Sequence, residues 1–390
     1  MTTRPQRLVA AGAALLVAAA VGGATAARPT APAPAPAALF TTSHQCLACH
    51  QGMTAPGGED ASIGSRWRST IMAHASKDPY WHAGVRRETL EHPKAAAAIE
   101  DKCSTCHMPM ARFTAHRQGG QGQVLAHLAG GRIDLATPAG VLADDGVSCA
   151  VCHQVAPDGL GRAESFDGGF RVDTARATGD RGVFGPFDVP AGTQRVMGSA
   201  SGFVPRRAEH IRAAEHCATC HTLFTPYVDA EGNILGEFPE QTPYIEWKNS
   251  AFGNSATTCQ NCHMPPNGDT MFALPEVGGL EHPPESIPSH LDLGASSVAL
   301  LQNTVTMAVA VTRLSGEISV TVILTNTGAG HHVPTDYPGR HLILTVTACD
   351  DAGLPLIQIA DIFGVYGISA VVALAAAALF LAVAACAGWR

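Results

Sequence analysis

Charge and aromatic rings are both scarce in this 390-residue chain: 15% of residues are charged and 6% are aromatic. So thin a supply of charge, together with 40 glycines, excludes a coiled coil or a long solvated helix. There is no basic excess either, since 25 Lys and Arg stand against 33 Asp and Glu, a net charge of −8. A chain of that sign repels a polyanion, which removes nucleic acid from its partners. With 46% hydrophobic residues the chain is also too apolar to be wholly disordered. Its length suits one to three domains.

The long hydrophobic runs lie at the two ends. Arg4 and Arg7 precede an apolar run from Leu8 to Val21, and Ala24, Thr25 and Ala26 follow as a small-residue cleavage site. Residues 1–26 therefore read as an export signal that is removed. Residues 27–39 alternate Ala and Pro, as an extended linker does. At the other end, 362–388 carries no charge over about 27 residues, enough to span a bilayer with some tilt. Arg390 follows it and Asp361 precedes it, which favours a cytoplasmic C-terminus. The expectation is a periplasmic or cell-surface domain anchored in the inner membrane by a C-terminal helix.

Cysteine is where the sequence becomes specific. Ten of the twelve cysteines fall in five C-x-x-C-H motifs. These are Cys46, Cys49 and His50; Cys103, Cys106 and His107; Cys149, Cys152 and His153; Cys217, Cys220 and His221; and Cys259, Cys262 and His263. The pattern is the attachment signature of c-type haem. Two thiols three residues apart add across the haem vinyl groups, and the next histidine is held under the iron. Structural zinc would need two C-x-x-C pairs per ion and gives no reason for the fixed histidine. A dithiol redox motif would occur once rather than five times. The sequence thus predicts five covalently attached haem c groups. Cys349 and Cys386 remain, and both read as small buried apolar residues.

Five irons call for sixth ligands. Trp67, Ile71 and His74 recur at helical spacing before Pro79 and point to His74 as one ligand, on an apolar helix face. Glu209 to His221 reads as a helix in which His210 and His221 share a side about three turns apart, so His210 would serve a neighbouring haem. His290 sits in a proline-bounded loop after the last motif, and His116 and His127 follow the second. His331 and His332, in a glycine turn, rank below these, and His216 reads as a surface residue. Met72 and Met197 are the methionine alternatives. Histidine supply exceeds demand, so mostly bis-histidine, low-spin haems are expected.

The motifs are spaced 57, 46, 68 and 42 residues apart, too unevenly for a tandem repeat. At that density haem itself is the core. Residues 40–295 are expected to form a mainly helical and irregular haem-packed domain. Residues 296–355 change character: 304–311, 318–325 and 342–347 are rich in Val, Ile, Leu and Thr and read as three strands of a partial β-sandwich.

The chain resembles the multihaem cytochrome c superfamily that includes the cytochrome c-554-like proteins. The resemblance rests on the five motifs and on flanking residues: Trp67, Ser69, Met72 to Ala75 and Asp78 to Tyr80; Gly146 to Ser148; and Pro239 to Gln241, Tyr244, Glu246, Trp247 and Ser250. It extends to the turn Gly330, His331, Pro334, Thr335 and Arg340, where Asp336 stands in place of the glycine that relatives often carry. The resemblance implies electron transfer and leaves the substrate open. The leading expectation is a membrane-tethered carrier serving redox proteins, either a membrane quinol-oxidising system or other cytochromes, with no catalytic side chain. The alternative is a multihaem oxidoreductase with one open haem, acting on a small nitrogen or sulfur species.

Overall fold

The computed structural model describes residues 38–177, 179–315, 317–349 and 355–363. The export signal 1–26, nearly all of the linker 27–39 and the tail beyond Phe363 lie outside the described residues. Among the described residues no helix is long and apolar enough to cross a membrane. Ile362 and Phe363, where the expected anchor begins, end a β-strand, Pro355–Phe363.

The helices are short, and local chemistry shows why. Ser69 and Thr70 turn their hydroxyls back onto the carbonyls of Arg66 and Trp67, at 2.7 and 2.8 Å. Such bonds compete with the helical ladder. The segment therefore breaks into Ile63–Arg68 and Ile71–His74, the second capped by the Thr70 hydroxyl. The single apolar face expected through Trp67, Ile71 and His74 does not form: Trp67 is buried, whereas Ile71 is 82% exposed. Pro79 opens a helix, Pro79–Glu91, with Asp78 as its cap, and does not close the preceding one. Pro is favoured there because its missing N–H has no partner at a first turn.

The expected continuous helix from Glu209 to His221 is also broken. A 3-10 turn Glu209–Arg212 is followed by extended Ala213 and then the helix Ala214–Ala218. The Gln260 amide donates to the carbonyls of Ile211 and Ala213, at 3.2 and 2.9 Å. The Ile211 carbonyl is thereby engaged from outside the helix, while that of Ala213 also accepts the His216 N–H at 3.1 Å.

The helix Ala96–His107 runs into the second motif as its sequence suggests. Two pairings between the third and fifth motifs have no counterpart in the sequence reading. Gly182–Gly185 pairs in parallel with Val204–Arg207 across the helix Ala191–Ser201. Leu223–Val228 and Ile234–Gln241 form an antiparallel hairpin.

The expected partial sandwich is two separate two-stranded ladders. Val305–Leu314 pairs with Glu317–Asn326, and Leu342–Cys349 with Pro355–Phe363. Leu, Ile and Val on both faces of the first ladder are exposed, so no second layer covers it among the described residues.

Buried apolar side chains form small separate clusters. One gathers Phe40, Met110, Val151, Val155 and Phe170 around the third motif. Another packs Val85, Met108, Ala111 and Val124 beside the second. Among the described residues no single large protein core unites them.

Candidate functional site

Each C-x-x-C-H sequence occupies a helical turn or a helix end, which turns its two thiols to one side. His107 and His263 are the last residues of Ala96–His107 and Cys259–His263. His153 caps Cys149–Cys152, and a reciprocal Thr258–Asn261 capping box starts the fifth motif. All ten motif cysteines are free of disulfides.

The fold draws the motifs into contact in a defined order. The Cys46 and Cys149 thiols meet, joining motifs one and three. Cys106 meets Cys220, joining two and four. Cys217 meets Cys259, joining four and five. The fourth motif is therefore a junction. Burial pushes the Cys103 and Cys152 thiols up to about 12 and keeps them neutral.

The five histidines are oriented through Nδ1. His50 Nδ1 meets the Phe272 carbonyl at 2.8 Å, His107 that of Ala75 at 2.9 Å and His153 that of Phe184 at 2.6 Å. His263 Nδ1 meets the Leu293 carbonyl. A carbonyl only accepts, so these four carry their proton on Nδ1 and leave Nε2 with a free lone pair. Burial lowers the pKa of all four, which favours the neutral ligand form. Trp81 lies flat on His107, with centroids 4.2 Å apart and planes 4° apart.

His221 differs. Its Nδ1 faces a carboxylate, Asp336 Oδ1, at 3.7 Å. Burial alone would lower its pKa, but Asp336 outweighs burial and the net shift is upward.

Two motif histidines face a second histidine. His153 and His290 have centroids 6.3 Å apart and planes 15° apart, and His263 and His331 stand at 6.1 Å and 18°. Two imidazoles bound to one ion from opposite sides, each nitrogen about 2 Å away, have centroids about 6 Å apart. His290 Nδ1 meets the Pro288 carbonyl and His331 Nδ1 that of His332, so Nε2 is free on both members of each pair. Burial pushes His290 down to about 3. Rings at this centroid separation, each with Nε2 free and with the motif thiols alongside, fit a haem between each histidine pair.

The remaining sequence candidates are placed as follows. His74 is exposed, with Nε2 2.8 Å from the Arg68 carbonyl. His116 is turned to Asp101 at 2.6 Å, and His127 ends a 3-10 turn, half-buried. None of these three is brought against a motif histidine. His210 Nε2 meets the Val155 carbonyl at 2.8 Å, and its ring lies 6.1 Å from that of His216. His216 is not the surface residue the sequence suggested. Its Nδ1 is buried without a hydrogen-bond partner, and burial, aided by His153 and His210, pushes it down to about 3.

His331 was ranked below the histidines assigned from sequence. The turn carrying it is pinned by Glu246, whose Oε2 accepts from the His332 N–H and the Thr335 hydroxyl, each at 2.8 Å. That anchor lies 86 residues away in sequence, although Glu246 and the turn both carry the family resemblance.

No protein-family model matches the sequence. No curated protein matches it either. Among solved structures, the chain is similar to a penta-heme cytochrome c552 from Thermochromatium tepidum, with a TM-score of 0.53 and 19% identity. The match covers 83% of this chain and 74% of that one. The chain thus shares its fold with that penta-heme cytochrome.

Proposed function

We propose that the chain is an exported multihaem c-type cytochrome that carries electrons among five covalently held haems. The observation that carries this reading is the set of motif histidines. Four of the five hold Nδ1 on a backbone carbonyl with Nε2 free, and two of these face a second histidine at the spacing one iron requires. Bound haem supplies one-electron iron chemistry. The chain's residues supply the rest. The ten motif cysteines would anchor the haems, and His50, His107, His153, His221 and His263 would be the proximal ligands. His290 and His331 would complete the third and fifth sites. For the other three, His216 is a proposed sixth ligand, and His74 and His210 would serve only by giving up the Arg68 and Val155 carbonyls.

The thiol contacts supply a route: first motif to third, and second to fourth to fifth. The electrostatic influence of Cys152 on Cys217 and Cys220 supports the proposed link from the third motif to the fourth. Redox proteins are the proposed partners, and the tail from 364 onward is the proposed inner-membrane anchor.

The test is the intact mass of the purified chain, read beside its pyridine haemochrome spectrum. Five covalent haems per chain support the reading. A chain isolated from a haem-attaching host with none would refute it.

A further inference from the structure

We propose that Asp336 is a positioning and tuning residue that makes the haem site at His221 the lowest in reduction potential of the five. This rests on the haem-carrying reading above. Four motif histidines give Nδ1 to a neutral carbonyl, and only His221 turns Nδ1 to a carboxylate. At 3.7 Å the contact is an ion-pair approach, too long for a hydrogen bond, and its effect is electrostatic.

Four further observations converge on Asp336. Its backbone lies at φ 72°, in the left-handed region that favours glycine, yet a charged side chain is kept there. Its Oδ1 is buried and has no hydrogen-bond partner, so the atom aimed at His221 is not otherwise engaged. Its Oδ2 lies 3.8 Å from Arg340. Glu246 holds the preceding residues through Thr335, which fixes where Asp336 points.

A ferric site carries one more positive charge than a ferrous one. A fixed anion behind the ligating imidazole favours the ferric state and lowers the potential. The fourth motif touches both the second and the fifth. The junction would then be the least favourable resting place for an electron, so electrons would settle on the outer sites and only pass through the centre.

The test is a spectroelectrochemical titration of the full haem-loaded chain, with haem counted per chain, for wild type, D336N, D336G and R340Q. In D336N and D336G the lowest of the five midpoints should rise, by roughly a tenfold change in its reduction equilibrium, which is 59 mV for one electron. The other four should stay in place, and the electron paramagnetic resonance g-values of one fifth of the iron should move. R340Q removes the countercharge and should shift the same midpoint downward. D336G suits the local backbone, so a fold defect in D336N would not obscure the result. Five haems with unmoved midpoints would overturn this inference and leave the carrier reading standing. A wild-type chain without a haem at the fourth motif would overturn both.

Discussion

Asp101 shows how much one side chain does where protein core is scarce. It lies in the helix that ends in the second motif, and its carboxylate accepts from Arg112 at 3.0 Å, His116 at 2.6 Å and the Gly122 N–H at 2.6 Å. Burial pushes its pKa upward, but these donors win and hold it at about 2, below its ordinary 3.8. A depressed acid adds stability that is fully present above its unfolded value and is lost as pH falls through the folded one. Thermal unfolding followed from pH 5 to pH 2 should therefore show a loss that D101N lacks, with D101N about 1–2 kcal/mol less stable at neutral pH. At the same scale, His331→Ala should convert one fifth of the iron from low-spin to high-spin, read by electron paramagnetic resonance.

The histidines also show what single residues reveal in a sequence. The five proposed proximal positions follow from adjacency to the second cysteine, a purely local rule. His290 was singled out by its loop position, and the structure brings it to His153. The placements of His331 and His216 could not be read locally because distant residues make their settings: Glu246 for the first, and the third-motif His153 for the second.

Elements follow the same division. The helix into the second motif and the strands 305–314, 317–326 and 342–349 obey local propensity and were legible. The helices through His74 and His210 were not, because hydroxyls at 69 and 70 take carbonyls that would continue the first and the distant Gln260 amide engages the Ile211 carbonyl in the second. The turn 331–336 reaches two motif histidines, setting His331 against His263 and Asp336 against His221. Glu246→Ala removes its anchor, at a cost of about 2 kcal/mol. It should disturb two haem signals at once, a low-spin signal and the lowest midpoint, where a single-site role would disturb one. Gly146 tests the segment ahead of the third motif. It sits at φ 57°, and a Cβ there would lie 2.7 Å from the Met72 carbonyl oxygen. Gly146→Ala should lower stability by about 2 kcal/mol or more in a denaturant titration.

At the scale of the molecule, small apolar clusters and five attachment motifs replace one protein core. Haem is then proposed as the material that joins the clusters, and chain without attached haem should not reach a cooperative fold. Among the described residues two separate two-stranded ladders stand where the sandwich was expected, and the apolar faces of 305–314 and 317–326 are uncovered. The membrane anchor is testable by fractionation of the whole chain: it should stay in the membrane pellet through carbonate and leave it in detergent. Release by carbonate would sink the anchor.

The central claim is electron carriage by five covalent haems whose sixth positions are filled. It is tested most directly by the electron paramagnetic resonance spectrum of the oxidised protein, with spins counted against covalent haem. The expected result is five haems per chain, all low-spin. Fewer covalent haems, or a high-spin signal from one fifth of the iron, would contradict it, and the second outcome would point to an open, substrate-binding haem.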